Sequence, residues 1–182
     1  MGPSCRTVIS YTEIHKICED KLIEVFSRFG SFEHIVAIGN SMGGTNALLM
    51  GPKLGCKTII AFTPQFSVHP QVFPDLKNKV WMEYRDAIDK WVFKSVDESG
   101  SRCSPVSEYI FHGGNSMELM HARMFVEKKN RVHLILKDCN HGVARFLKEK
   151  GVLPSLIDKC VEGASRVQMI DLISDVGIFT AD

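Results

Sequence analysis

The chain predicts an α/β fold: a three-layer α/β/α arrangement around a mostly parallel sheet of about four to five strands. Three observations carry that expectation. Short apolar runs recur along the chain as "HIVAIG", "KTIIAF", "EYIFHGG" and "RVHLILKD". Segments with helical spacing of apolar residues stand between and after them. Most of the runs are apolar throughout rather than alternating, which suits strands covered on both faces of a parallel sheet.

Taken in order, Tyr11–Phe29 places Ile14, Ile17, Leu22, Ile23 and Phe26 on one helical face, and Gly30 stops it. "HIVAIG" is the first buried strand, with "RTVIS" before it as a candidate short strand. Ser41–Leu54 reads as a helix ending near Gly51–Gly55, and "KTIIAF" as the second strand. "TPQFSVHPQVFP" holds three prolines and reads as a loop. Val80–Phe93 is an amphipathic helix carrying Trp81, Tyr84, Ile88 and Trp91, followed by the connection "DESGSRCSP". "EYIFHGG" is the third strand, Met117–Glu127 a helix and "RVHLILKD" the fourth strand. From His141 the chain reads as mostly helical, broken near Gly151 and Pro154. With 182 residues and no repeat or low-complexity stretch, one domain over 1–182 is expected.

Bulk properties narrow the function classes. Twenty-two basic residues face 21 acidic ones, a net charge of +1, so no global field attracts nucleic acid or an anionic membrane. No apolar run reaches the ~18 residues of a membrane-spanning helix, and the first residues show no secretory signal. "MGPSCR" fits a myristoylation pattern only in part, with Arg6 where a hydroxyl residue belongs. The six cysteines form no C-x-x-C pair, which argues against a zinc knuckle and for reduced thiols and a cytoplasmic protein. Neither a metal nor a cofactor is expected.

In open parallel sheets ligands bind beyond the carboxyl ends of the strands, so the residues following each strand matter most. After the first strand, Gly39-Asn40-Ser41-Met42-Gly43 fits G-x-S-x-G, the nucleophile elbow. Its sharp strand-to-helix turn exposes the serine hydroxyl and sets the next amide, that of Met42, to donate to an oxyanion. A serine that merely caps the helix is the competing explanation of those five residues. No phosphate-binding glycine pattern is present.

A serine nucleophile needs a base, and the base an orienting acid. His141 in "KDCNHGVARF" directly follows the fourth strand, and Gly142 suits a turn there. The other histidines sit in a helix, within strands, in a loop or ahead of the elbow. Glu118 is the carboxylate of the loop after the third strand, and Asp138, three residues before His141, is its rival. Ser41, Glu118, His141 is the serine–acid–histidine order of the α/β-hydrolase fold. "HGGN" at His112–Asn115 imitates an oxyanion motif, but it follows the nucleophile, so Gly113 and Gly114 read as turn residues. Asn40, Thr63, Gln65 and Phe66 lie at the first two strand ends as candidate substrate contacts.

Four segments in order, "GNSMGGTNALLMG", "AFTPQ", "ELMHA" and "NHGVARFLKEKGVL", resemble a bacterial branch of the α/β-hydrolase superfamily, over about His34 to Leu153. The resemblance implies Ser41 as nucleophile, Glu118 in the acid position and His141 as base, in a reduced hydrolase fold. Two departures stand out. The family's acid is usually Asp, and only about thirty residues precede the elbow strand, leaving no counterpart for the loop that normally supplies the second oxyanion amide. The elbow strand would also lie near an edge, to be covered by "RTVIS" or by a second copy in a homodimer. The expected activity is hydrolysis of a small-molecule carboxylic ester through an acyl-enzyme. Acyl transfer by the same triad, or a non-catalytic hydrolase-like binding or scaffold role, are the alternatives.

Overall fold

The computed structural model describes residues 20–25, 27–28, 32–74, 82, 85, 88, 91–99, 106–176 and 178–179. They fall into two compact units, residues 1–31 with 68–94, and residues 32–67 with 95–182.

In the first unit, residues 20–25 and 27–28 are helical, in keeping with the periodicity there. The His69 and Trp91 rings meet edge to face at 4.8 Å, and Arg85 donates to the Phe73 carbonyl at 3.2 Å. The "RTVIS" segment, Trp81 and Tyr84 lie outside the described residues.

The second unit is the α/β body. Its strands are β1 (Val36–Asn40), β2 (Thr58–Phe62), β3 (Ser107–Gly113), β4 (Arg131–Leu136) and β5 (Ile178–Phe179), in the spatial order β1-β2-β3-β4-β5. The first four are parallel, and β5 runs antiparallel to β4. The helices are α1 (Met42–Met50), α2 (Ser116–Ala122), α3 (Val143–Glu149), α4 (Leu153–Val161) and α5 (Arg166–Ile173). This is the expected reduced α/β fold with a mostly parallel sheet.

Register explains the layers. Ile60 pairs with Tyr109, and Phe62 with Phe111, which in turn pairs with Leu134. These residues share one face, where Phe62 and Phe111 stack at 5.3 Å. Val143 and Leu147 of α3, Leu156 and Cys160 of α4, and Met169 and Ile173 of α5 complete that core. Each such Leu, Ile or Phe contributes roughly 1.5–3 kcal/mol by leaving water. The Tyr109 hydroxyl is satisfied within this layer by the Ala164 carbonyl at 2.9 Å.

The opposite face carries Ile59, Ile110, His112, His133 and Ile135. Gly51, at the end of α1, lies so close to Ile59 that a Cβ there would meet its side chain at 3.0 Å. Glu108 and Arg131 are register partners on this side. Arg131, whose side chain is 3% exposed, pairs with Glu108 at 2.6 Å and with Asp97 at 2.8 Å.

Two elements depart from the sequence expectation. The helix expected over Met117–Glu127 ends at Ala122, because Phe125 turns in to pack edge to face on Phe66 at 5.1 Å and against His112 and His133. The C-terminal stretch, expected to be mostly helical, supplies strand β5. Among the described residues β1 is the strand at the open edge, with Ile38 53% exposed.

Candidate active site

The carboxyl ends of β1 to β4 bring together most of the residues the sequence singles out. Ser41 follows β1 with φ 54° and ψ −124°, a left-handed backbone that a non-glycine residue adopts only under strain. Its N–H donates to the Phe62 carbonyl at 2.8 Å, which pins the turn to the next strand. Helix α1 begins at once, with Thr45 N–H donating to the Ser41 carbonyl at 3.0 Å. The amides of Met42, Gly43 and Gly44 are thus the helix's unpaired first turn, next to the serine.

The glycines of this strand-to-helix turn have unequal reasons to be there. A Cβ on Gly39 would overlap the Gly43 carbonyl, and one on Gly44 would meet the Phe62 carbonyl at 3.1 Å. A Cβ on Gly43, the second glycine of the motif, meets nothing within 4 Å. The crossing of strand and helix therefore rests on Gly39 and Gly44. Gly142 is likewise unobstructed, with φ −85°, so no steric need for glycine arises beside His141.

Glu118 reaches the site from α2. Asn115 caps that helix by accepting from the Met117 and Glu118 amides, both at 3.0 Å. Gly113 and Gly114 let the β3 turn pass against the carbonyls of Lys137, Cys139 and Asn140, as turn residues do. The buried Glu118 carboxylate accepts from His141 Nδ1 at 2.6 Å. Burial raises the Glu118 carboxyl above its ordinary value, partly offset by the His141 hydrogen bond and charge. This contact fixes the tautomer of neutral His141, leaving Nε2 as an acceptor, and the ring is half exposed. Asp138 is exposed. His121 lies one turn beyond Glu118 on the same helix, and burial, with the nearby His141, lowers it to about 4.

Thr63 ties the strand ends together. It too is left-handed, φ 46°, and fully buried, with its N–H on the Phe111 carbonyl at 2.7 Å. Its hydroxyl lies 3.1 Å from the His141 carbonyl and 3.4 Å from Asn40 Oδ1. Ser41 and His141 share no hydrogen bond in this structure; Thr63 joins the β1 end to the histidine's loop. Instead, Gln65 Nε2 donates to Ser41 Oγ at 3.1 Å. Phe66 is buried against Phe125 and belongs to the packing, while Asn40 is exposed at the strand end.

One feature the sequence does not announce is a buried histidine pair behind these residues. His112 Nε2 donates to the Pro64 carbonyl at 3.0 Å, so its Nδ1 accepts from His133 Nε2 at 2.9 Å. Burial, then the charge of the neighbouring His133, holds His112 well below its ordinary value. Burial, then Arg131 and Arg166, lowers His133 to about 4. Both rings are therefore neutral at pH 7.

Among the described residues no group of three or more histidines, cysteines or acids is placed to hold a metal ion, and no helix is long and apolar enough to cross a membrane. No family model matches the chain, and no curated protein matches it.

Proposed function

We propose that the protein is a serine hydrolase of the carboxylesterase type, acting through Ser41, His141 and Glu118. The strained backbone of Ser41 at the head of α1 carries this reading, because strain of that kind is retained where a side chain must be presented. In the reaction, Ser41 Oγ attacks the ester carbonyl carbon as its proton passes to His141 Nε2. Glu118, bound at Nδ1, stabilises the imidazolium. His141 then protonates the departing alkoxide, and water releases the acid from the acyl-enzyme by the same steps in reverse roles. His141 is exposed enough to swing, and hydrogen bonds of this kind commonly tighten only when substrate binds.

Membership of the α/β-hydrolase superfamily fits the order of the three residues and the elbow geometry. Acyl transfer would use the same groups with water excluded. The missing Ser41–His141 hydrogen bond favours a second reading, a hydrolase-like binding protein whose serine is not activated. Release of p-nitrophenol from acetate and butyrate esters separates the two. Turnover by wild type, with Ser41→Ala and His141→Ala at background, supports the hydrolase. A wild type as inert as Ser41→Ala, and unlabelled by a fluorophosphonate, favours the binding protein.

A further inference from the structure

Ester chemistry at Ser41 calls for two hydrogen-bond donors on the oxyanion, and the head of α1 supplies one in the Met42 amide. We infer that the second is the side-chain amide of Gln65. This rests on the hydrolase reading and adds a catalytic residue to it.

Gln65 Nε2 already touches the reacting atom, donating to Ser41 Oγ at 3.1 Å. When Oγ bonds to the carbonyl carbon, the π electrons of the C=O move onto its oxygen. That oxygen then sits one bond angle from Oγ. A donor 3.1 Å from Oγ in the free protein is therefore within reach of the oxyanion when the substrate's carbonyl oxygen lies on its side of Oγ. When the C–O bond to the leaving group breaks, the electron pair returns to the carbonyl and the alkoxide takes its proton from His141.

The amide is held in place from three sides. Its own backbone N–H donates to Thr45 Oγ1 at 2.9 Å, which leaves the threonine proton free to donate. Its Oε1 lies 3.3 Å from that hydroxyl. The threonine hydroxyl also lies 3.1 Å from the Gln65 backbone carbonyl and 3.4 Å from the Ser41 carbonyl, so it anchors this residue and the serine turn together, with Oε1 on the Thr45 side and Nε2 toward Ser41. The preceding turn is fixed by Thr63 N–H on the Phe111 carbonyl at 2.7 Å. The Pro64 carbonyl is fixed by the buried His112, itself backed by His133. The side chain is buried, so little rotamer freedom remains to be lost when the intermediate forms. A donor held this way costs no reorganisation at the moment of reaction, which is what makes an oxyanion site effective. His112 and Thr45 act through Gln65 and are positioning residues.

The test uses the full chain, p-nitrophenyl acetate and its thiono analogue, a trifluoromethyl ketone as transition-state mimic, and the variants Gln65→Leu and Gln65→Glu. Loss of one oxyanion donor is expected to lower kcat/KM roughly a hundredfold to a thousandfold. KM should stay nearly constant, and ketone binding should weaken in proportion to kcat/KM. Wild type should strongly prefer the oxygen ester, since sulfur is a poor acceptor, and the preference should shrink in both variants. Gln65→Glu keeps the side chain's shape, so it serves if Gln65→Leu does not fold. Variants within threefold of wild type, with Ser41→Ala dead, overturn the role of Gln65 and leave the hydrolase standing. So does a loss confined to KM. A wild type that neither turns over nor reacts with fluorophosphonate removes both.

Discussion

Acid should unfold this protein earlier than its composition suggests, because three histidines are buried neutral. His112, His121 and His133 all lie inside the α/β unit. The His112–His133 bond requires His112 uncharged: a proton on His112 Nδ1 would set two N–H groups against each other. The charges facing these rings oppose protonation as well. Arg131 and Arg166 face His133, while His133, His121 and His141 face His112, and His141 faces His121. His121 and His133 are each lowered to about 4 from an ordinary 6.5.

The unfolded chain therefore binds protons that the folded chain refuses. Stability is fully present above pH 6.5 and is lost as pH falls from there toward 4. At pH 5 the unfolded rings lie 1.5 units past their midpoint, which costs about 2 kcal/mol for each of His121 and His133. His112 adds to the loss in the same direction. Glu118 opposes it, since its raised carboxyl protonates sooner in the fold, though the His141 contact offsets part of that rise. A domain of this kind has only ~5–15 kcal/mol to lose. Both tryptophans belong to the other unit, so urea unfolding is best followed by far-UV circular dichroism, and at pH 7.5, 6.0 and 5.0 the midpoint should fall steadily. His121→Asn should recover about 2 kcal/mol of the difference between pH 7.5 and 5.0. A free energy constant within about 1 kcal/mol over that range would refute the reasoning, since it requires rings that protonate as readily folded as unfolded.

Other outcomes follow from the same geometry. Gly39→Ala should destabilise by roughly 3 kcal/mol or more, as its Cβ would overlap the Gly43 carbonyl. Gly43→Ala, in open space within a helix, should stabilise by about 0.5–1 kcal/mol; thermal melting reads both. Glu118→Gln should lower kcat for ester hydrolysis by roughly 10³–10⁴ through loss of the His141 orientation, with Asp138→Asn near wild type. If Asp138→Asn is the damaging change, the acid is misassigned. Cys160, buried and pushed up to about 12, should escape iodoacetamide in the native protein and label fully in urea, as read by peptide mass spectrometry.

Much of the body was legible because its signals are local. β2 and β3 are apolar runs that only a doubly covered strand explains, and both appear where those runs lie. Glu118 stood out as the carboxylate following the third strand, with Asp138 as its rival; it lies in the first turn of α2 rather than in the loop before it. The relay behind Gln65 did not stand out, because it depends on register. Ile110 pairs with His133, and His112 with Ile135, so the two histidines meet on the diagonal between strands joined by a helical crossover. Strand β5 is two residues long and pairs antiparallel, too short to show a period. The early end of α2 reflects a tertiary pull, the burial of Phe125 under the histidine rings, that helix propensity does not contain.

Two strained residues, rather than one, mark the candidate site. Ser41 and Thr63 are the described non-glycine residues with positive φ, each directly after one of two neighbouring parallel strands. Each donates its N–H to the next strand, Ser41 to Phe62 and Thr63 to Phe111. Strain of this order costs roughly 1–3 kcal/mol per residue, and glycine would relieve it at either position. Both positions carry hydroxyls instead. One meets the Gln65 amide and the other meets the His141 carbonyl, so each hydroxyl points into the group of residues the site needs. Glycine at Thr63 would lose the tie to the His141 loop, so packing accounts for that hydroxyl. A hydroxyl at Ser41, kept against the same cost with no such tie, is what the hydrolase reading explains and a purely structural turn does not.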